Sequence, residues 1–109
     1  MAFVYLLCDS GHDNMFKIGM TRGNVEKRVK KLQTGNGSEI FLVKKYETKY
    51  PFYIEKMLHQ RHWPEKKLNE WFELSSESVM NFEEDCKFYE DIVEVLSETN
   101  PFFDIKKIK

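Results

Sequence analysis

Glu55, His59 and His62 are spaced so that they share one face of a predicted helix. The spacing is i, i+4, i+7, and it directs the three side chains away from the apolar stripe that contains Ile54 and Leu58. One carboxylate and two imidazoles in a line are metal ligands or proton carriers, and zinc is one metal they suit. No nearby motif supplies the general base of the usual helical zinc site, so zinc is the weaker alternative.

The spacing of apolar residues in an earlier predicted helix places Arg28 at the edge of that helix's buried stripe. That helix is predicted from Val25 to about Gln33, with Asn24 as its N-cap. Arg28 follows Val25 by three residues and precedes Leu32 by four. Its guanidinium can therefore point along the face of a neighbouring sheet.

The remaining elements must position these side chains. Residues 3–8 and 15–20 are predicted to form a hairpin, residues 40–46 a third strand, and residues 51–62 the helix that carries Glu55. Residues 70–74 are predicted to form a strand or a strand-like edge. Beyond Ser75 one long amphipathic helix with an acidic outer face is predicted, ending at residues 99–101. The order indicates an α/β (α+β) fold.

Charge divides the chain into two parts of opposite sign. Residues 1–67 contain thirteen Lys or Arg and seven Asp or Glu, a net +6, whereas residues 68–109 carry a net −7. A basic half of this kind favours contact with a polyanion, although a solvated surface has the same signature. The 109-residue length fits one compact domain with a helical extension.

The cysteines and the N-terminal run bear on location. Cys8 and Cys86 belong to no paired-cysteine spacing, so neither disulfides nor a structural zinc site is expected, and a reducing compartment fits best. We expect an intracellular protein, cytoplasmic or, in a eukaryote, nuclear. The apolar residues 2–7 are too few for a signal peptide or a membrane span, so no membrane association is expected.

Several short motifs occur in an order that resembles a known family. They are Tyr5 within residues 4–6, Lys17 within residues 16–21, Arg28 followed by residues 32–36, Glu55 followed by residues 58–59, and residues 70–72. In this order and at these spacings they resemble the T5orf172 branch of the GIY-YIG nuclease superfamily, over residues 3–74. The resemblance implies a small mixed, largely antiparallel sheet flanked by helices, with the C-terminal amphipathic helix added.

The resemblance also implies a metal-dependent endonuclease acting on DNA, with RNA not excluded. Tyr5 would take a proton from the attacking water, and Arg28 would contact the scissile phosphate. Glu55 would hold Mg²⁺ or Mn²⁺, and His59 would assist proton transfer. A tyrosine with a pKa of about 10 needs that pKa lowered by roughly three units, which Lys17, Arg28 and the metal would supply together.

The chain departs from the superfamily pattern at three places. Lys17 stands where the second signature tyrosine is found, as is common in this branch, and Phe3 stands in place of a glycine. Leu32 and Gln33 stand where some relatives have a histidine. If that histidine acts as an acid or base in those relatives, this chain either lacks the function or uses His59 for it.

A phosphate-tracking surface outside the site is predicted from basic residues, which set affinity without reading base sequence. Its members are Arg22, Lys27, Lys30, Lys31, Lys44, Lys45 and Lys49. Residues 1–75 are assigned to the nuclease-like domain and residues 76–109 to the acidic helix and tail. That helix could cover the basic surface, recruit a protein or form a dimer seam, but a solvated outer face is favoured. A catalytically inactive nucleic-acid-binding module and an adaptor acting through the helix are the alternative functions.

Overall fold

A computed structural model describes residues 1–99, and within them five strands form one antiparallel sheet. The strands are β1 (Phe3–Asp9), β2 (Met15–Thr21), β3 (Ile40–Glu47), β4 (Lys66–Leu68) and β5 (Trp71–Glu73), in the spatial order β3-β1-β2-β5-β4. The helices are α1 (Val25–Gln33), α2 (Pro51–Arg61), α3 (Ser76–Met80) and α4 (Phe82–Thr99). The mixed α and β composition confirms the predicted fold class. The tail predicted at residues 102–109 lies outside the described residues.

The sheet separates two apolar clusters because successive side chains of a strand point to opposite faces. Val4 and Leu6 of β1 pack with α2, β5 and α4, and Phe82 and Cys86 of α4 belong to this larger cluster. On the opposite face, Tyr5 and Leu7 pack against Val25 of α1. We call this second face, which carries α1, the α1 face. Odd-numbered residues of β1 therefore lie on the α1 face.

Helix α1 forms as the sequence predicts. Asn24 is its N-cap, and its side-chain oxygen accepts a hydrogen bond from the backbone N–H of Lys27 at 2.9 Å. Val25 is buried, and Val29 and Leu32 pack on the smaller cluster. The basic residues of the last turn remain in solvent.

The open edge of β2 matters for the site. Strand β5 pairs with β2 only at Met15, Phe16 and Lys17, and the Ile18 N–H donates to the Glu70 carbonyl just beyond that pairing. Past this point, the imidazole of His59 in α2 lies 2.8 Å from the Ile18 carbonyl. Helix α2 thus contacts the edge of β2 and brings its side chains within reach of the α1 face.

The predicted single helix after Ser75 is wrong in one respect, because two helices meet at Asn81. The Asn81 N–H donates to the Glu77 carbonyl, and the Asn81 carbonyl accepts from Asp85, so that one residue ends α3 and precedes α4. The apolar spacing from Val79 to Phe82 continues across the break, which explains why periodicity did not reveal it. Strand β4, with only three residues, was not predicted either.

Helix α4 is acidic on its outer face, as predicted, but that face also carries apolar side chains. Phe88 is 57% exposed and Val95 is 58% exposed, with Ile92 between them at 36%. Nothing in the described residues covers them. Within residues 1–99 no helix combines the length and the apolar character that a membrane crossing requires.

Candidate active site

Tyr5 is held in the sheet by its cross-strand neighbour Gly19. The two residues are paired in the β1–β2 register, and the Tyr5 side chain is only 1% exposed. A Cβ atom on Gly19 would lie 2.5 Å from the Tyr5 hydroxyl and 2.6 Å from its Cζ. The ring therefore lies directly over the glycine backbone, which is a steric reason for a glycine at this position of β2.

The Tyr5 hydroxyl reaches the guanidinium of Arg28. Arg28 Nε donates to Tyr5 Oη at 3.4 Å, a long hydrogen bond between β1 and α1. This contact raises the pKa of Arg28, so its charge is retained at every relevant pH. The edge position predicted for Arg28 on α1 therefore brings it to the α1 face of the sheet beside Tyr5.

Lys17 lies on the same face, where it forms an ion pair with Glu70. Lys17 Nζ is 2.8 Å from Glu70 Oε1, and the Lys17 side chain is only 12% exposed. Its Nζ also lies 5.8 Å from the ring centroid of Trp71, its cross-strand neighbour. Glu70 was not predicted as a site residue, although the motif of residues 70–72 contained it.

Glu55 adds a second carboxylate to this cluster. Burial, followed by the negative charge of Glu70, raises the pKa of Glu55 to about 7 in spite of the opposing charges of Lys17 and Arg28. A carboxyl group with this pKa is about half ionised near neutral pH. The fold thus brings Tyr5, Lys17, Arg28 and Glu55 into electrostatic contact, with Glu70 among them.

The predicted lowering of the Tyr5 pKa by Lys17, Arg28 and a metal together stays a prediction, but the protein side chains alone do not produce it. The pKa of Tyr5 is raised, first by burial and then by Glu70 and Glu55, and these effects outweigh the lowering by Arg28. The charge of Lys17 is committed largely to Glu70 at 2.8 Å. By itself the site therefore favours the neutral phenol.

His59 lies one turn after Glu55, but its contact is with the backbone. A carbonyl oxygen only accepts hydrogen bonds, so the 2.8 Å contact to Ile18 requires that His59 Nε2 carry the proton. The ring also meets Phe72 edge-on at 5.0 Å between centroids. His59 thus joins α2 to the sheet edge, and Nδ1 is the nitrogen left for any proton transfer.

The zinc alternative is wrong for the residues that the structure describes. His62 is buried at the C-terminal end of α2, with Nδ1 3.5 Å from Glu65 Oε1 but without hydrogen-bond geometry. Among residues 1–99 no three His, Cys, Asp or Glu side chains come together as metal ligands would. The His62 N–H still donates to the Leu58 carbonyl at 3.0 Å, so His62 closes the last turn of α2. An i+7 position lies about 10.5 Å along the helix axis from position i, which is too far for Glu55 and His62 to hold one ion.

The predicted basic surface is divided between the two faces of the sheet. Lys31 lines one cleft with Lys17 and another with Arg28 and Lys27, so these residues flank the site. Lys45, opposite Tyr5 in register, lies on this face and pairs with Glu26 at 3.3 Å.

Other members of the predicted surface lie apart from the site or near acidic groups. Lys44 points to the opposite face, where it is 3.6 Å from Glu83, because side chains alternate along β3. Arg22 and Lys49 line a cleft of about 800 Å³ that also contains the acidic residues Glu90 and Glu94. Lys30 is exposed in the last turn of α1.

A small antiparallel sheet with a tyrosine, an arginine and a carboxylate gathered on one face is the arrangement expected of a nuclease-like domain. The model of the T5orf172 domain matches residues 2–97, which is most of the chain. The chain belongs to the T5orf172 domain family, whose members are nuclease-like, DNA-binding domains. Comparison with curated proteins and with solved structures gave no match.

Proposed function

We propose that the chain is a metal-dependent endonuclease that hydrolyses DNA phosphodiester bonds. The observation that carries this proposal is that Tyr5, Arg28 and Lys17 share the α1 face, and that Glu55 of α2 interacts electrostatically with Lys17 and Arg28. These residues come from three secondary-structure elements besides β1, and a plain surface cluster has no need of a buried phenol or of a carboxyl with its pKa raised to about 7.

In this proposal each side chain has a separate task. Tyr5 would act as a phenolate, which requires the bound cation to offset the burial and the acidic neighbours that raise its pKa. Its Oη then accepts the proton of the attacking water, and becomes a neutral phenol, while the bond from that water oxygen to phosphorus forms. Arg28 and Lys17 stabilise the additional negative charge on the phosphoryl oxygens. The bond to the leaving oxygen then breaks, and that oxygen takes a proton from solvent.

The donor set fits a hard divalent cation, and we propose Mg²⁺ or Mn²⁺. Glu55 would hold the ion, and the nearby Glu70 adds negative charge to the same region. The described residues form no cage of three ligands, which agrees with an ion that keeps most of its waters and binds phosphate oxygens. Such an ion supplies a Lewis acid that polarises a phosphate oxygen and stabilises the leaving oxygen.

Plasmid nicking in Mg²⁺ or Mn²⁺ tests the proposal. Tyr5→Phe and Glu55→Gln should each lower the nicking rate by at least about 100-fold, because a positioned base or metal ligand contributes that much. DNA binding should remain in both variants. Tyr46→Phe is the matched control, since that hydroxyl donates to Glu90 at 2.8 Å on the opposite face of the sheet.

A second candidate, a catalytically inactive DNA-binding module, is favoured by one observation. The Lys17–Glu70 pair and the raised pKa of Tyr5 describe a site at rest rather than one poised to remove a proton. DNA binding without nicking in either metal would establish this candidate. Nicking that Tyr5→Phe leaves unchanged would also contradict the endonuclease proposal.

We also propose an intracellular location, because Cys8 and Cys86 are both free thiols.

A further inference from the structure

Trp71 extends the site in one direction along the sheet. It lies opposite Lys17 in the β2–β5 register, so its indole is on the α1 face that carries Tyr5. Lys17 and Gly19 are two residues apart on β2, which is about 6.8 Å along the strand. An aromatic surface therefore lies next to the position where the proposed function places a phosphate.

Within the described residues Trp71 lines two clefts of different chemistry. The first, of about 290 Å³, is basic and contains Lys17 and Lys31. The second, of about 240 Å³, is mainly apolar and contains Met15 and Leu68. Both are smaller than the roughly 300–1,000 Å³ of pockets for drug-sized ligands, so each suits a single group rather than a large molecule.

The charged side chains that line the two clefts favour a different ligand group in each. Lys31 attracts a phosphate to the first cleft, and Lys17 can add to this attraction where a phosphate competes with Glu70 for it. The second cleft contains Asp9, whose pKa is held at about 2 mainly by hydrogen bonds from Ser38 and Gly11, so its negative charge repels phosphate. An uncharged planar ring is therefore the better occupant of the second cleft, where it would contact the indole of Trp71 and the 67%-exposed side chain of Leu68.

We propose that Trp71, Leu68 and Met15 form a subsite for an unpaired nucleobase of DNA, adjacent to the phosphate bound by Lys17 and Lys31. This inference rests on the proposed function, whose substrate it narrows to DNA with a single-stranded segment at the cleavage site. A base inside an intact duplex has both faces covered by its neighbours and is not available to the cleft.

The walls of the second cleft are held in place before any ligand arrives. The amide of Asn36, which lines both clefts, donates to the Ser38 carbonyl at 2.8 Å and to Asp9 Oδ2 at 3.4 Å. Trp71 is fixed by its ladder to β2. A rigid wall reduces the entropy lost when a base binds.

Fluorescence anisotropy in EDTA, where no cutting occurs, tests the subsite. The probes are a labelled oligothymidylate and a duplex of the same length. Trp71→Leu should weaken binding of the oligothymidylate by about 10-fold and leave duplex binding unchanged, because one stacked base is lost. Trp71→Phe should fall between, and Trp63→Leu is the control, since Trp63 is exposed and contacts Lys66 elsewhere.

Leu68→Asn guards against a folding artefact because this exposed position tolerates a polar side chain. It too should weaken the oligothymidylate selectively. In a Trp63→Phe background, the emission of Trp71 should be quenched by the oligothymidylate. Equal losses for both probes, or none, would overturn the subsite. Selective binding without nicking in metal would reject the endonuclease proposal alone, whereas nicking without this selectivity would reject the subsite alone.

Discussion

The phenol ring of Tyr5 in β1 packs directly on the backbone of Gly19, its cross-strand neighbour in β2. This contact directs the Tyr5 hydroxyl along the sheet towards Arg28, 3.4 Å away. The position of the proposed base therefore depends on the absence of a single methyl group on β2.

Adding that methyl group is the first test. Gly19→Ala should destabilise the fold by about 1–3 kcal/mol, because the buried Tyr5 ring must move, and nicking should be lost. Urea denaturation measures the free energy of unfolding. In a Tyr5→Ala background the same substitution should cost much less, since its obstacle is gone. An equal cost in both backgrounds would show that the two residues do not interact.

The raised pKa of Glu55 predicts how stability depends on pH in EDTA. Below its ordinary pKa of 4.5, Glu55 is neutral in the folded and unfolded states. As the pH rises from 4.5 to about 7, the unfolded state releases the Glu55 proton before the folded state does, and stability is lost across this window. Glu55→Gln removes this loss and should add about 1–2 kcal/mol at pH 8, after an allowance for solvent screening, and nothing at pH 4.

Thermal melts at the two pH values measure the Glu55 effect. Glu39→Gln, in the exposed loop before β3, is the control for loss of a glutamate outside the site. Mg²⁺ at pH 8 should raise the melting temperature of the natural protein, because the ionised Glu55 carboxylate binds the cation in the folded state. It should not raise that of Glu55→Gln, which lacks this carboxylate. A gain from Glu55→Gln that is the same at pH 4 and pH 8 would contradict the assignment.

Glu70→Gln should move the acid limb of the nicking profile to lower pH. Glu70 is the second cause of the raised Glu55 pKa, and its removal also releases Lys17 from the 2.8 Å ion pair. Glu55 would then ionise at lower pH and be ready for a cation there. Initial nicking rates across pH 5–9, a range of about four units around the Glu55 pKa, measure the shift.

Glu73→Gln is the control for the Glu70 experiment. Glu73 belongs to the same strand, β5, but its partner is Lys67 at 3.4 Å, away from the site. The profile of this variant should match that of the natural protein. An unshifted profile for Glu70→Gln would remove Glu70 from the electrostatics of the site.

Two lysines on opposite faces of the sheet should differ in their effect on DNA affinity. Lys31→Gln should weaken binding at low salt and reduce the slope of log K against log salt by about 1. Lys31 lines the basic cleft beside Lys17 and a separate cleft beside Lys27 and Arg28. Lys44→Gln should have little effect, since Lys44 bonds to the Met80 carbonyl and Glu83. DNA-binding titrations at several salt concentrations measure the two slopes. Equal slopes for Lys31→Gln and Lys44→Gln would contradict the assignment of the two lysines to different faces of the sheet.

The local elements of this protein were accessible from sequence because short-range patterns determine them. The N-cap at Asn24, the stripe from Val25 to Leu32 and the proline that begins α2 each act within a turn or two of chain. The motif order led to the family for a similar reason. The spacing between residues such as Lys17 and Gly19 is a property of the sequence itself, so it can be recognised without knowledge of the fold.

Only the tertiary structure decided which groups share an environment. Glu70 joined the site because β5 pairs with β2, and Lys44 left it because alternation along β3 turned it to the other face. His62 is buried at the end of α2, near Glu65 and outside the cluster of site residues. The pKa values of Tyr5 and Glu55 depend on burial and on charges distant in sequence, which act through space and leave no local pattern.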